Sequence, residues 1–287
     1  MNIELLLSAL LYGCISGIGV AVISVGFFLY LRYIKFLNFS YAAFISIAPY
    51  IYYLVAKDFS FPAIALTLLV LSILSLIIEL AIFSILRRKW NSTLGLLIAS
   101  FGIYIILVSL LSLLWGPSLK TLESSLEGSW SVMGVRLTKM QSVTALVELI
   151  CLFGVWIFLT KTKQGRILSA VASNPSLALS VGIDLKNAYL IVTILATCLA
   201  GLAGIVIAFD SGFQPLMGDN YLFLGAVSVV VGGITFWGSV VAGIAIVIMQ
   251  NLAVIWLSPQ FKDGVTFSIL IAYLIFKSLS YLTNEEK

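Results

Sequence analysis

The 287-residue chain contains no histidine, and only 10% of its residues are charged. Without histidine the Ser-His and Cys-His nucleophile pairs and the usual zinc ligand sets cannot be built. Cysteine is nearly as scarce. Cys14, Cys151 and Cys198 lie far apart in apolar stretches, where each reads as a small buried hydrophobe, so neither a disulfide nor a metal site is indicated. No lysine follows a glycine, which excludes a phosphate-cradling Walker A loop. Any ATP hydrolysis coupled to this chain therefore belongs to another polypeptide. The shortage of charge is matched by apolar residues at 61%, against about 45–50% apolar and about 25% charged in soluble domains. The chain belongs in a bilayer.

A helix needs about 20 apolar residues to cross a hydrocarbon core of about 30 Å. Apolar runs broken by charge or by glycine, proline and asparagine predict an all-α polytopic membrane protein of about nine transmembrane helices, within a range of about 8–10. The segments are 5–31, 38–56, 61–86, 93–114, 142–160, 188–208, 220–236, 238–257 and 265–282. Residues 1–287 are read as a single transmembrane domain. The first run has no basic flank and is too long for a signal-peptide core, so it is expected to persist in the mature chain.

Orientation follows from lysine and arginine, which short cytoplasmic loops retain. Nine spans put Arg32, Lys35, Arg87, Arg88, Lys89, Lys161, Lys163, Arg166, Lys186, Lys277 and Lys287 on one side, with Asp184, Glu285 and Glu286, a net +8. Lys57, Lys120, Arg136, Lys139 and Lys262 fall on the other, with Glu4, Asp58, Glu123, Glu127, Asp210, Asp219 and Asp263, a net −2. This predicts the N-terminus outside and the C-terminus inside.

The longest segment on the basic side, about residues 161–187, reads as a short amphipathic helix broken at Asn174-Pro175. The residue before a proline avoids the α region, and the proline suits the first turn of a second helix. Gly182 would end that helix. Such a pair either offers a knob to a cytoplasmic partner or shields the bundle. Small residues at i, i+4, namely Gly13 and Gly17, then Ala196, Ala200, Gly204 and Ala208, let helices approach closely. Glu79 and Glu148 lie inside predicted spans, where a carboxylate is costly and faces the bundle interior, as a relay or as a structural group. Asn38, Gln250 and Asn251 are further intramembrane polar groups, read as pathway-lining or as interhelical glue.

Gly165-Arg166, Asn174, Ala178 and Gly182-Ile183-Asp184 resemble the cytoplasmic coupling loop of permease subunits in the high-affinity branched-chain amino acid ABC importer family. The resemblance extends to Pro215, Gly218, Gly232-Gly233-Ile234, Gly238, Gly243 and Lys262-Asp263, and nearer the N-terminus to Asn38-Phe39, Glu79, Gly102 and Gly116. Ser169 stands where the family has a basic residue, and Ser40-Tyr41-Ala42-Ala43 where it has an Ala-His-Gly stretch, which marks a divergent member.

The resemblance implies a multi-pass permease of the prokaryotic inner membrane that takes up branched-chain or other small hydrophobic amino acids, with sugar or urea as alternative solutes. It also implies a second permease, identical or homologous, two cytoplasmic ATPases that use ATP and Mg, and an external solute-binding protein. This chain itself would hold no cofactor and catalyse no reaction. Gly165, Arg166, Asn174, Ala178, Gly182 and Asp184 are then the expected coupling set. Asn38, Glu79, Gln250 and Asn251 are the expected pathway groups, and Gly13, Gly17, Ala200, Gly204, Gly232 and Gly233 serve helix packing. A stand-alone secondary transporter would be expected to show paired mid-membrane ionisable groups or matched broken helices. Two isolated glutamates do not supply them.

Overall fold

The computed structural model describes residues 3–56, 58–89, 92–122, 128–132 and 135–285. Lys57, Glu123, Glu127, Glu286 and Lys287, all part of the charge reading, lie outside the described residues. The chain folds as α1 (Ile3–Leu29) closing in a π turn (Tyr30–Ile34), α2 (Ser40–Val55), and α3 (Phe61–Ile78), which runs through a second π turn (Glu79–Phe83) into α4 (Ser84–Lys89). Then come α5 (Thr93–Trp115), the hairpin strands β1 (Ser129–Val132) and β2 (Val135–Thr138), α6 (Lys139–Lys161), α7 (Lys163–Ser173) and α8 (Pro175–Ser180). α9 (Leu185–Ser211), α10 (Met217–Val231), α11 (Phe236–Val254) and α12 (Lys262–Glu285) complete it.

This is an all-α polytopic membrane protein. Among the described residues six helical stretches are long and apolar enough to cross a bilayer: Leu5–Ile34, Phe61–Lys89, Thr93–Trp115, Lys139–Lys161, Leu185–Ser211 and Phe236–Val254. The shorter apolar helices α2 and α10, together with α12, fill the remaining predicted segments. The sequence reading did not anticipate the antiparallel hairpin, which pairs Ser129 with Thr138 and Trp130 with Leu137. Its end carries straight into α6, where Thr138 and Gln141 satisfy each other's backbone N–H groups in a capping box.

α1 and α9 are the most buried spans. α2, α10 and α11 pack around them, while α3, α5, α6 and α12 turn residues such as Leu69, Ile98, Leu113, Ile150 and Phe276 outward. Between helices in lipid there is no hydrophobic driving force, so association depends on close van der Waals packing at small residues. Glycine supplies that here. A Cβ on Gly13 would stand 2.9 Å from Ile248 Cα, and one on Gly17 3.0 Å from Ile244 Cα, so these two glycines seat α1 on α11. A Cβ on Gly204 would overlap the carbonyl of Ile45, and one on Gly218 the carbonyl of Ala42, so α9 and α10 rest on the backbone of α2. Ala196, Ala200 and Ala208 are buried on the same α9.

One ion pair lies inside this packing. The Arg87 guanidinium meets the carboxylate of Glu79, whose residue is 1% exposed. Thr193 on α9 donates to the other carboxylate oxygen at 3.5 Å, and the guanidinium stacks 4.7 Å from the Tyr189 ring centre. Glu79 is thus a paired structural carboxylate, and Arg87, expected at the membrane surface, is turned back into the bundle. Long side chains on a helix point toward its N-terminus, which brings Arg87 toward the π turn that Glu79 opens.

Two outcomes follow. Gly204→Leu should destabilise the detergent-solubilised protein by about 1–3 kcal/mol or more, as overpacking does. Gly154→Leu should stay within about 0.5 kcal/mol, because a Cβ on Gly154 meets nothing within 4 Å. Thermal unfolding of both variants checks this. Removing one member of a buried pair costs about 3–5 kcal/mol, whereas replacing both by apolar groups is often neutral. Arg87→Met should therefore lower the unfolding midpoint more than Glu79→Leu combined with Arg87→Met.

Candidate functional site

Two features stand at opposite ends of the bundle. α6 ends and α9 begins beside the α7–α8 pair. At the other end α6, α10 and α12 begin and α9 and α11 finish, and there a cavity opens among them.

The helix pair is built almost entirely from local rules. α6 passes to α7 through Thr162, whose hydroxyl accepts the Gly165 N–H at 3.1 Å and so caps α7. Gly165 lies within the helix, and a Cβ there would overlap the Leu159 carbonyl, so its role is to let α7 fold back tightly on α6. Asn174 ends α7 and caps α8, its Oδ1 accepting the Leu177 N–H at 3.1 Å and the Ser176 hydroxyl at 2.7 Å. Gly182, at φ +84°, closes α8. Its N–H donates to Leu179 O, and that of Ile183 to Ala178 O, both at 3.0 Å, the paired bonds of a Schellman motif. Asp184 then caps α9 by accepting the Lys186 N–H at 2.9 Å.

Leu168, Val171 and Ala178 anchor the pair inward. Leu177, Leu179 and Val181 are 64%, 55% and 71% exposed, and Arg166 on α7 is exposed as well. Of the expected coupling set, Gly165, Asn174, Gly182 and Asp184 shape the pair, Ala178 anchors it, and Arg166 is left facing out. The exposed leucines and valine were visible in the sequence as part of the amphipathic pattern, without a sign of which face would be left bare.

The same stop-and-start device recurs after α10. Gly233, at φ +69°, donates to Val230 O at 3.2 Å, and Ile234 to Val229 O at 3.0 Å. Thr235 then caps α11 by accepting the Gly238 N–H. A Cβ on Gly232 would overlap the backbone at Gly238, so the two glycines set a tight connection between α10 and α11.

The cavity at the far end has a volume of about 410 Å³. One face of α1 contributes Tyr12, Ser16 and Gly19, and one face of α6 contributes Gln141, Thr144 and Glu148. Asp210, Tyr221, Gln250, Asn251 and Lys262 also line it. Gln250 donates to Thr266 Oγ1 at 2.7 Å and to Lys262 O at 3.1 Å, which ties α11 to α12. Asn251 donates to Val247 O at 3.0 Å within its own helix.

Two of the four expected pathway groups, Gln250 and Asn251, therefore reach the cavity. The other two do not line it. Asn38 is buried and accepts the Ser40 N–H and hydroxyl at 3.0 and 2.6 Å, holding the start of α2, and Glu79 is occupied by Arg87. Asp210, which the sequence reading placed on the same side as Lys262 and Asp263, lines the cavity with them and accepts from Gln141 Nε2 at 2.7 Å. The readable signal was the run Gln141, Thr144, Ala145 and Glu148, spaced i, i+3, i+4, i+7 along one face of a span.

Comparison with known proteins agrees with this architecture. Residues 9–274 match the family described as branched-chain amino acid transport system, permease component. The high-affinity branched-chain amino acid transport system permease protein LivH of Escherichia coli is 26% identical over 66% of this chain and 64% of its own length. This chain thus aligns with slightly under two thirds of that relative. BraD of Pseudomonas aeruginosa, a permease protein of the same kind of system, is 24% identical over 98% of this chain and 96% of its own. The probable branched-chain amino acid transport permease protein LivH of Methanocaldococcus jannaschii is 33% identical over 46% of this chain and 45% of its own. With the match running through all but the two ends of the chain, the protein belongs to the branched-chain amino acid transport system permease family.

Proposed function

We propose that the chain is the transmembrane permease subunit of a binding-protein-dependent ABC importer for branched-chain or other small hydrophobic amino acids. The observation that carries this reading is the α7–α8 pair: a locally rigid helix hairpin, anchored by Leu168, Val171 and Ala178, that presents Leu177, Leu179 and Val181 outward. Closure of an ATPase dimer must displace something stiff, and a capped helix pair seated in a groove transmits displacement where a loop would yield. Arg166 would add charged contacts at the groove's edge.

In this reading the chain works as one permease unit of nine spans in the prokaryotic inner membrane, with α2, α10 and α12 crossing beside the six longer stretches. The excess of lysine and arginine at the α7–α8 end supports an arrangement with that end inside and the cavity end outside. A second permease, two ATPases that use ATP and Mg, and an external binding protein complete the transporter. The branched-chain transport named for the relatives favours amino acids over sugar or urea. The permease itself holds no cofactor and is not an enzyme.

The test is co-purification from the native membrane in mild detergent. The tagged wild-type chain should bring down ATPase subunits. Leu177→Arg combined with Val181→Arg should reduce their recovery by about tenfold or more, roughly 1.4 kcal/mol per tenfold. The variant's thermal stability should be unchanged, because both side chains are exposed. Undiminished recovery with the double variant would refute the assignment of α8 as the ATPase contact.

A further inference from the structure

The cavity contains a group that none of the coupling chemistry uses. Glu148 is 1% exposed, and its Oε1 has no hydrogen-bond partner among the described residues. It lies against α1 at Gly19, where a Cβ would stand 3.1 Å from Oε1, so the missing side chain of Gly19 makes its room. Glu79, equally buried, has Arg87. A buried polar group without a partner costs about 1–3 kcal/mol, so a carboxyl group at a cavity wall with no partner from the chain stands to gain one from a bound solute, an ammonium group being the partner that would hold it ionised.

The surroundings narrow the ligand. Asp210, oriented by Gln141, and Asp263 share the cavity, so that with Glu148, among the described residues, three carboxyl groups line it against one cation, Lys262. Tyr12 and Tyr221 add aromatic rings, and Ile15, Val20, Val206 and Leu224 add apolar wall. A bare metal ion would be poorly served by so much apolar lining. A solute with an ammonium head and a small hydrophobic body matches both parts. The volume of about 410 Å³ falls in the range of small-molecule sites, about 300–1,000 Å³.

We propose that this cavity is a solute-binding site of the permease itself, in which Glu148 and Asp210 hold the ammonium group of an aliphatic amine or amino acid. It rests on the importer reading for the choice of amino acids, and the cavity's location at the end opposite α7–α8 makes it the entry side of the pathway. The Glu148 carboxylate accepts the charge-assisted hydrogen bonds, and Gln141 keeps Asp210 facing the solute.

Calorimetric titration of the purified permease in lipid nanodiscs tests it, using leucine, isoamylamine, which lacks the carboxylate, and isocaproate, which lacks the amine. Leucine and isoamylamine should bind and isocaproate should not. Glu148→Gln should weaken both amines by about tenfold or more, the arithmetic of one lost charge-assisted contact, and Asp210→Asn should weaken them to a smaller extent. Heat-unfolding curves identify any variant that fails to fold, and the three-ligand comparison on the unaltered protein stands independently of the variants. Absence of amine binding up to about 10 mM, a free energy of only about −2.7 kcal/mol, would overturn the proposal. So would equal binding of isocaproate, or affinity unchanged in a folded Glu148→Gln. The importer reading is judged separately by ATPase co-purification, which none of these ligands enters.

Discussion

The bundle depends on how closely backbone can approach backbone around α1 and α9. In lipid the apolar surfaces of helices gain little by leaving one neighbour for another, so the helices hold together by dispersion at short range and by the few polar bonds between them. Gly13 and Gly17 set α1 on α11, and Gly204 and Gly218 set α9 and α10 on α2. With those contacts fixed, the central helices cannot shift independently. The α7–α8 pair leads directly into α9, and the far end of α9 lines the cavity, so one packed element connects the two ends.

The two buried glutamates show the other constraint of the medium. Glu79 is placed where α3 opens into a π turn, close enough for Arg87 to reach it, and Thr193 of α9 closes the other side. That group is paired on both of its oxygens. Glu148, on the opposite half of the bundle, faces space. A protein that pairs one intramembrane carboxylate and leaves another open has distinguished them by their neighbours, since burial alone is the same for both.

Much of the fold was legible because hydropathy and local chain stiffness decide it. The long apolar runs, the break at Asn174-Pro175 and the stop at Gly182 reappear as helix limits, because caps and proline restrictions act within a few residues. The hairpin over Ser129–Thr138 was missed because its strands are four residues each and sit among charges that read as loop. The site was legible only in part. Gln250 and Asn251 reach the cavity, but Asn38 is taken up by Ser40 two residues on, and Glu79 by Arg87 and by Thr193 of α9, the last a contact that local sequence does not show. The place of Asp210 at the end of α9 gave its side of the membrane but not its contact with Gln141 of α6. The i, i+3, i+4, i+7 polar face of α6 was present in the sequence and pointed to the cavity wall.

The functional account places an ATP-driven contact on one side of the membrane and a solute entrance on the other, joined by helices packed through glycine. Its central claim is therefore one of sidedness. In a background with Cys14, Cys151 and Cys198 replaced by alanine, Leu177→Cys on α8 and Asn220→Cys, an exposed residue of α10 that lines the cavity, can each be exposed to a membrane-impermeant maleimide in inverted and right-side-out vesicles. The account predicts that Leu177→Cys reacts only in inverted vesicles and Asn220→Cys only in right-side-out ones. Reaction of both from the same side would contradict it.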